Sequence, residues 1–93
     1  MVKAIVLYER EPDAERYAQH VRDFAESVPG AAFRHGKIVG APVGDKRYAY
    51  YAEFEWPDKE SFQKGTSSDE FAASGKDAMQ MDIPFHVYFA AVD

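Results

Sequence analysis

The 93-residue chain contains no cysteine. This absence excludes disulfide bonds, thiolate metal sites and cysteine nucleophiles together. An excess of positive charge is also missing, because 11 Lys and Arg stand against 16 Asp and Glu, for a formal net charge of −5. Nucleic acids and anionic membranes are bound through basic surfaces, so we expect neither kind of partner.

Long apolar runs and nucleotide-binding motifs are missing as well. The apolar run at positions 4–7 is too short for a signal peptide or a membrane span, so we expect a cytoplasmic protein. The chain has no G-x-G-x-x-G or Walker sequence, and no serine lies in a nucleophile elbow. Nucleotide-dependent chemistry and serine hydrolysis are therefore not expected, and no cofactor is predicted.

The apolar residues that are present, 46% of the chain, recur at strand and helix spacings. Aliphatic runs and strict alternation predict strands at 2–8, 31–39, 47–56 and 85–92. Behind a predicted N-cap at Asp13, apolar residues at positions 14, 17, 21, 24 and 28 predict a helix of about four turns, ended by Pro29-Gly30. A short helix after Pro57-Asp58 and a further one from Ser68 to about Met81 are also predicted.

This order of elements is typical of one α+β domain over residues 1–93 with the ferredoxin-like βαββαβ fold. That fold is a four-stranded antiparallel sheet with helices on one face. The first and last strands carry apolar residues on both faces, with Ile5, Leu7 and Tyr88 on the face that the helices leave open. Since such a face is an unusually large patch for a soluble monomer, we predict a homodimer packed sheet to sheet.

Four features resemble EthD-type proteins. The segment 66–79, TSSDEFAASGKDAM, is similar to their SSPE-x-x-AAG-x-D stretch. The others are Leu7-Tyr8 at the end of the first strand, Pro29-Gly30 after a histidine-bearing helix, and YYAEF at 50–54. The resemblance implies a dimeric α+β barrel, a superfamily that includes cofactor-free monooxygenases, isomerases and haem-dependent enzymes. A shared fold of this kind narrows the function poorly.

His20 is the strongest candidate for a catalytic residue, with Tyr17 one turn earlier as its assistant. On a helix, His20 lies about 40° from Phe24 and about 60° from Tyr17, at the border of the apolar stripe. The imidazole can therefore face a cavity between helix and sheet, where its pKa suits proton transfer. The alternative is a partly exposed histidine at the edge of the core.

Aromatic side chains can form a ligand pocket. They can equally fill the core of a small domain. The residues concerned are Tyr8, Tyr48, Tyr50, Phe54 and Trp56. No metal site is expected, because His35 and His86 fall on the two outer strands, roughly 14 Å apart. Glu53 and Glu55 share one sheet face and are expected to pair with Lys3 or Arg34 rather than to act as bases.

Two functions remain open on the sequence. The first is an EthD-like homodimer that binds a small hydrophobic metabolite and performs cofactor-free oxidation, isomerisation or proton transfer with His20 and Tyr17. The second is a non-catalytic accessory or ligand-carrier protein of a catabolic pathway. A cavity between the helices and the sheet discriminates between them, because only the first function requires room beside His20.

Overall fold

The structure, a computed structural model, describes all 93 residues from Met1 to Asp93. The elements in chain order are β1 (Val2–Tyr8), α1 (Ala14–Asp23), β2 (Ala32–Lys37), β3 (Tyr50–Trp56), α2 (Lys59–Thr66), α3 (Asp69–Gln80) and β4 (Phe85–Ala91). A single 3₁₀ turn, Ala25–Ser27, follows α1. The four strands form one antiparallel sheet in the order β2-β3-β1-β4, which confirms the predicted ferredoxin-like fold.

Each helix begins at a side-chain cap. The carboxylate of Asp13 accepts a hydrogen bond from the Arg16 backbone N–H at 3.0 Å, and Asp58 accepts from Ser61 at 2.8 Å. Ser68 caps α3 in the same way, at 3.1 Å from the Phe71 nitrogen. These bonds satisfy N–H groups that have no partner within the helix, and so they determine where the helices start.

Three elements are shorter than predicted. The four-turn helix ends at Asp23, because Phe24 leaves the helical conformation and the following 3₁₀ turn directs Ala25 and Val28 into the core. The strands β2 and β3 exclude positions 38–49, where glycines and Pro42 interrupt the pattern. Two backbone hydrogen bonds continue the ladders there, from the Ile38 nitrogen to the Ala49 oxygen and from the Ala49 nitrogen to the Tyr8 oxygen, both at 2.9 Å.

The helices cover one face of the sheet, here called the inner face. Its buried side chains, together with those of the helices, form the core: Ala4, Val6, Tyr8, Tyr17, Ala25, Val28, Ala52, Phe54 and Trp56. The indole of Trp56 is fully buried, and its Nε1 donates to the Pro29 carbonyl at 2.9 Å. None of the three helices has the length and apolar character needed to cross a membrane.

The opposite, outer face has a charged end and an apolar end. At the charged end, Lys3 Nζ lies 3.0 Å from Glu53 and Arg34 Nη2 lies 2.8 Å from Glu55, which confirms the predicted ion pairs. Burial acts to raise the pKa of Glu53, but the hydrogen bonds from Lys3 and Arg34 outweigh it and hold that pKa below its ordinary value, which does not suit a buried base. The apolar end is formed by Ile5, Leu7, Tyr51 and Tyr88, and no helix covers it. Tyr88 is 53% exposed.

Candidate functional site

His20 lies inside the domain, with only 3% of its surface exposed. The expectation of a partly exposed histidine at the edge of the core is therefore wrong. The helix α1 packs against α3. Tyr17 and His20 lie on the buried side of α1, while Val21 is only half-buried. The apolar stripe of α1 put His20 at its border, because spacing within one helix does not show a charged partner on another. Such a partner on α3 makes burial of the imidazole favourable.

That partner is Asp77. His20 Nδ1 lies 2.7 Å from Asp77 Oδ2, and Arg16 binds the same carboxylate through both terminal nitrogens, at 3.1 Å and 2.8 Å. Sequence reasoning missed Asp77 and Arg16 as site residues, since they are 61 positions apart. The available signal was the resemblance itself, because Asp77 stands where the SSPE-x-x-AAG-x-D stretch has its aspartate.

The charges of this triad follow from its surroundings. Hydrogen bonds from Arg16, the largest cause, hold the pKa of Asp77 below its ordinary value, and the bond to His20 acts in the same direction. Burial lowers the pKa of His20, outweighing the attraction of Asp77. At neutral pH, Asp77 is thus a carboxylate and His20 is neutral. Because a carboxylate only accepts hydrogen bonds, Nδ1 carries the proton and donates a hydrogen bond to Asp77.

The second ring nitrogen of His20, Nε2, keeps its lone pair free. Nε2 makes no hydrogen bond to a protein atom. Every fully buried side-chain nitrogen or oxygen in the chain has a partner, so Nε2 is not fully buried. A water-sized molecule can therefore reach it. His20 lines a cavity of about 40 Å³ between the inner face, α1 and α3. This volume holds about one water molecule.

Two tyrosines, Tyr8 and Tyr17, also line this cavity. The Oη atoms of Tyr8 and Tyr17 are 3.3 Å apart, and the Tyr17 ring centre is 5.2 Å from that of His20. Burial raises the pKa of both tyrosines, so both hydroxyls stay protonated. One of them donates to the other, which leaves one hydrogen of the pair for a ligand. The structure thus brings the predicted pair, His20 and Tyr17, together and adds Tyr8.

The remaining predicted ligand residues are divided among three places. Phe54 lines the small cavity with Tyr8. Tyr50 lies on the other side of Tyr17, where its hydroxyl is 2.6 Å from His35 Nδ1 in an open cleft. Trp56 lines neither space, because its indole packs against Phe54, Phe62 and Phe71. His35 and His86 lie on the outer strands β2 and β4, as predicted.

A solved structure decides the family. An EthD (ethyl tert-butyl ether) family protein of Bacillus halodurans C-125 is 30% identical to this chain, with a TM-score of 0.77. The match covers 100% of this chain and 99% of that one. The chain belongs to the EthD family. No protein-family model and no curated protein matches it.

Two more distant structures share the fold with this EthD-family chain. A dimeric ferredoxin-like protein of unknown function from Jannaschia sp. CCS1 is 19% identical, with a TM-score of 0.71 and 98% of each chain covered. A hydroxynitrile lyase from Passiflora edulis is 16% identical, with a TM-score of 0.73, over 99% of this chain and 93% of that one. At these identities the likeness establishes the fold alone.

Proposed function

We propose that this EthD-family protein binds a small hydrophobic metabolite and catalyses a cofactor-free proton transfer on it, the step with which cofactor-free oxidations and isomerisations begin. His20 is the base. The observation that carries the proposal is the 2.7 Å bond from Nδ1 to Asp77, which leaves Nε2 as an accessible lone pair in an apolar cavity. A histidine can remove a substrate proton only when its imidazole is neutral and one ring nitrogen has a free lone pair.

The surroundings of His20 supply the other requirements of proton transfer. Asp77 fixes the tautomer and stabilises the imidazolium once the proton has been taken. Tyr8 and Tyr17 remain protonated, and the one hydrogen that their mutual bond leaves over can be donated to a substrate oxygen on which negative charge develops. The fold of a hydroxynitrile lyase is the same, which supports small-molecule chemistry on this scaffold.

Proton transfer can be measured without knowledge of the natural substrate. In D₂O, a panel of small ketones and nitriles is expected to exchange hydrogen at the acidic carbon, followed by ¹H NMR. His20→Gln removes the base and is expected to lower the exchange rate at least roughly a hundredfold. The matched control is Lys64→Gln, at a 76% exposed position of α2, which retains the rate. Equal rates in the wild type and His20→Gln would contradict the assignment of the base.

The pH dependence of that exchange follows from the neutral state of His20. Because burial lowers the pKa of His20 below its ordinary value of about 6.5, more than half of the base is unprotonated at that pH. We expect the rate to fall to half of its maximum at a pH below 6.5, as the pH drops through the lowered pKa. A half-maximal rate above pH 7 would assign the base to another group.

A non-catalytic ligand carrier is the second candidate, favoured by the small size of the cavity beside His20. A carrier requires affinity and no turnover. In a thermal-shift screen, its ligand raises the melting temperature because binding stabilises the native state, while no proton exchange accompanies it.

We also propose that the protein is a homodimer joined through the outer face. The apolar end of that face is left uncovered by the chain's own helices, and Tyr88 is 53% exposed there. The charged end neutralises itself, since Lys3 and Arg34 are paired with Glu53 and Glu55, so two copies do not repel one another. The dimeric ferredoxin-like protein of the same fold supports this assembly.

Light scattering at micromolar concentration is therefore expected to return twice the chain mass of 10.5 kDa. Tyr88→Lys introduces a charge into the proposed interface and is expected to shift the mass toward that of the monomer. Met79→Lys is the matched control, because Met79 is a 70% exposed apolar residue on the helix side. A wild-type mass of 10.5 kDa, or the same shift in both variants, would refute the interface.

A further inference from the structure

An open cleft lies on the far side of Tyr17 from the cavity of His20. Its volume is about 420 Å³, and its floor and walls are formed by Pro12, Ala14, Ala18, Val21 and the rings of Tyr17, His35 and Tyr50. Tyr17 is the residue that lines both spaces. The cleft adjoins the proposed site through one aromatic ring.

The two spaces differ in size, so they can hold different parts of one ligand. The cavity beside His20, at about 40 Å³, admits a group of a few atoms. Pockets that hold whole small molecules measure about 300–1,000 Å³, a range that includes the cleft. The body of a metabolite therefore fits the cleft and does not fit the cavity.

The cleft contains one polar pair, His35 and Tyr50, whose Nδ1 and Oη are 2.6 Å apart. Burial and then the charge of Glu11 raise the pKa of Tyr50, so its hydroxyl is protonated at neutral pH. If that hydroxyl donates to Nδ1, a neutral His35 carries its proton on Nε2; if Nδ1 donates, the tyrosine O–H is free. In either case the pair retains one hydrogen for an acceptor atom of a ligand.

The charges that line the cleft disfavour anions. Glu11 and Glu26 stand against Arg22 among the lining residues. Lys37 Nζ lies 3.4 Å from Glu11, and Arg22 is paired only through Nε, 3.4 Å from Asp23. Two carboxylates against one guanidinium leave the lining with a net negative charge, which disfavours a carboxylate or a phosphate as ligand.

We propose that this cleft binds the ring of a neutral aromatic carbonyl or phenolic compound, whose oxygen accepts a hydrogen bond from the His35–Tyr50 pair. The Tyr17 ring, centred 5.2 Å from both the His35 and Tyr50 rings, provides an aromatic wall against which such a ring stacks. The connection of this molecule to chemistry at His20 rests on the proposed function; the binding itself does not.

Amide chemical shifts in a titration with acetophenone test the proposal. We expect saturable shifts at Ala14 and Ala18, on the α1 wall. Benzoate, which has the same ring and a negative charge, is expected to bind at least tenfold more weakly. Tyr50→Phe and His35→Ala each disrupt the polar pair and are expected to weaken acetophenone binding roughly two- to tenfold. Lys64→Ala, the matched control at a 76% exposed position of α2, leaves the affinity unchanged.

Three results would overturn the proposal: no saturable shift, equal binding of benzoate, or shifts confined to Gly75 and Ala78 at the inner cavity. The acetophenone affinity of the His20→Gln variant separates this proposal from the proposed function. Because His20 does not line the cleft, the variant is expected to keep that affinity. Acetophenone binding without proton exchange contradicts only the catalytic role of His20. Proton exchange that depends on His20, with no effect of His35→Ala or Tyr50→Phe, contradicts only the cleft.

Discussion

Gly65→Ala is expected to destabilise the protein by about 3 kcal/mol, a large fraction of the stability of a domain of this size. A Cβ at position 65 of α2 would lie 2.7 Å and 2.8 Å from two ring carbons of Trp56, well inside contact distance. The indole cannot retreat, because it is fully buried and its Nε1 is bonded to the Pro29 carbonyl. Either α2 or the indole has to move away.

Gly75→Ala in α3 is the matched control. A Cβ there has no neighbour within 4 Å, so alanine brings only its higher helix propensity, about 1 kcal/mol in its favour. Urea unfolding of the two variants measures the difference. Equal stability of Gly65→Ala and the wild type would mean that the contact between Trp56 and α2 is not as close as the structure places it.

Asp77→Asn is expected to lower the pKa of His20 further and to reduce stability by about 2 kcal/mol, a value discounted because Arg16 is one-third exposed. Asp77 raises the pKa of His20, and burial lowers it, so removal of the carboxylate leaves burial unopposed. An NMR titration of the His20 ring reads the shift directly. In the proton-exchange assay the same variant is expected to be slower, since an asparagine does not stabilise the imidazolium.

The pH dependence of stability distinguishes a charge effect from a packing effect. The folded-state pKa of Asp77 is lowered, so its contribution is complete above its unfolded value of about 3.9 and is lost as the pH falls through the lowered pKa. The deficit of Asp77→Asn should therefore shrink below about pH 4. Asp45→Asn, in an exposed loop, is expected to behave as the wild type. A deficit of the same size at all pH values would mean that charge plays no part.

The alternation of polar and apolar residues in the sequence was sufficient to predict the two faces of the sheet. Glu53 and Glu55 alternate with Phe54 and Trp56, and the structure places the first pair on the outer face and the second in the core. Element lengths were less predictable. The helix stripe continues through Phe24 to Val28, yet α1 ends at Asp23, and Ala25 and Val28 reach the core through a 3₁₀ turn and the residue after it.

The candidate site was predictable only in part. His20 and Tyr17 lie one turn apart on one helix, so local geometry brings them together, and the structure confirms that they adjoin. Asp77 comes from α3, 57 positions away from His20, and no local spacing indicates such a pairing. His35 entered the prediction only as a poor metal ligand, whereas the structure places it beside Tyr50 and Tyr17.

By itself, the sequence determined the fold, its two-faced sheet and the family resemblance, because these depend on periodicity and on short segments that any single chain displays. The tertiary structure alone decided that His20 is buried, that Asp77 and Arg16 define its protonation, and that Tyr17 separates a small cavity from an open cleft. The physical reason is that burial and pKa depend on groups distant in the chain, which meet only when α1 packs against α3.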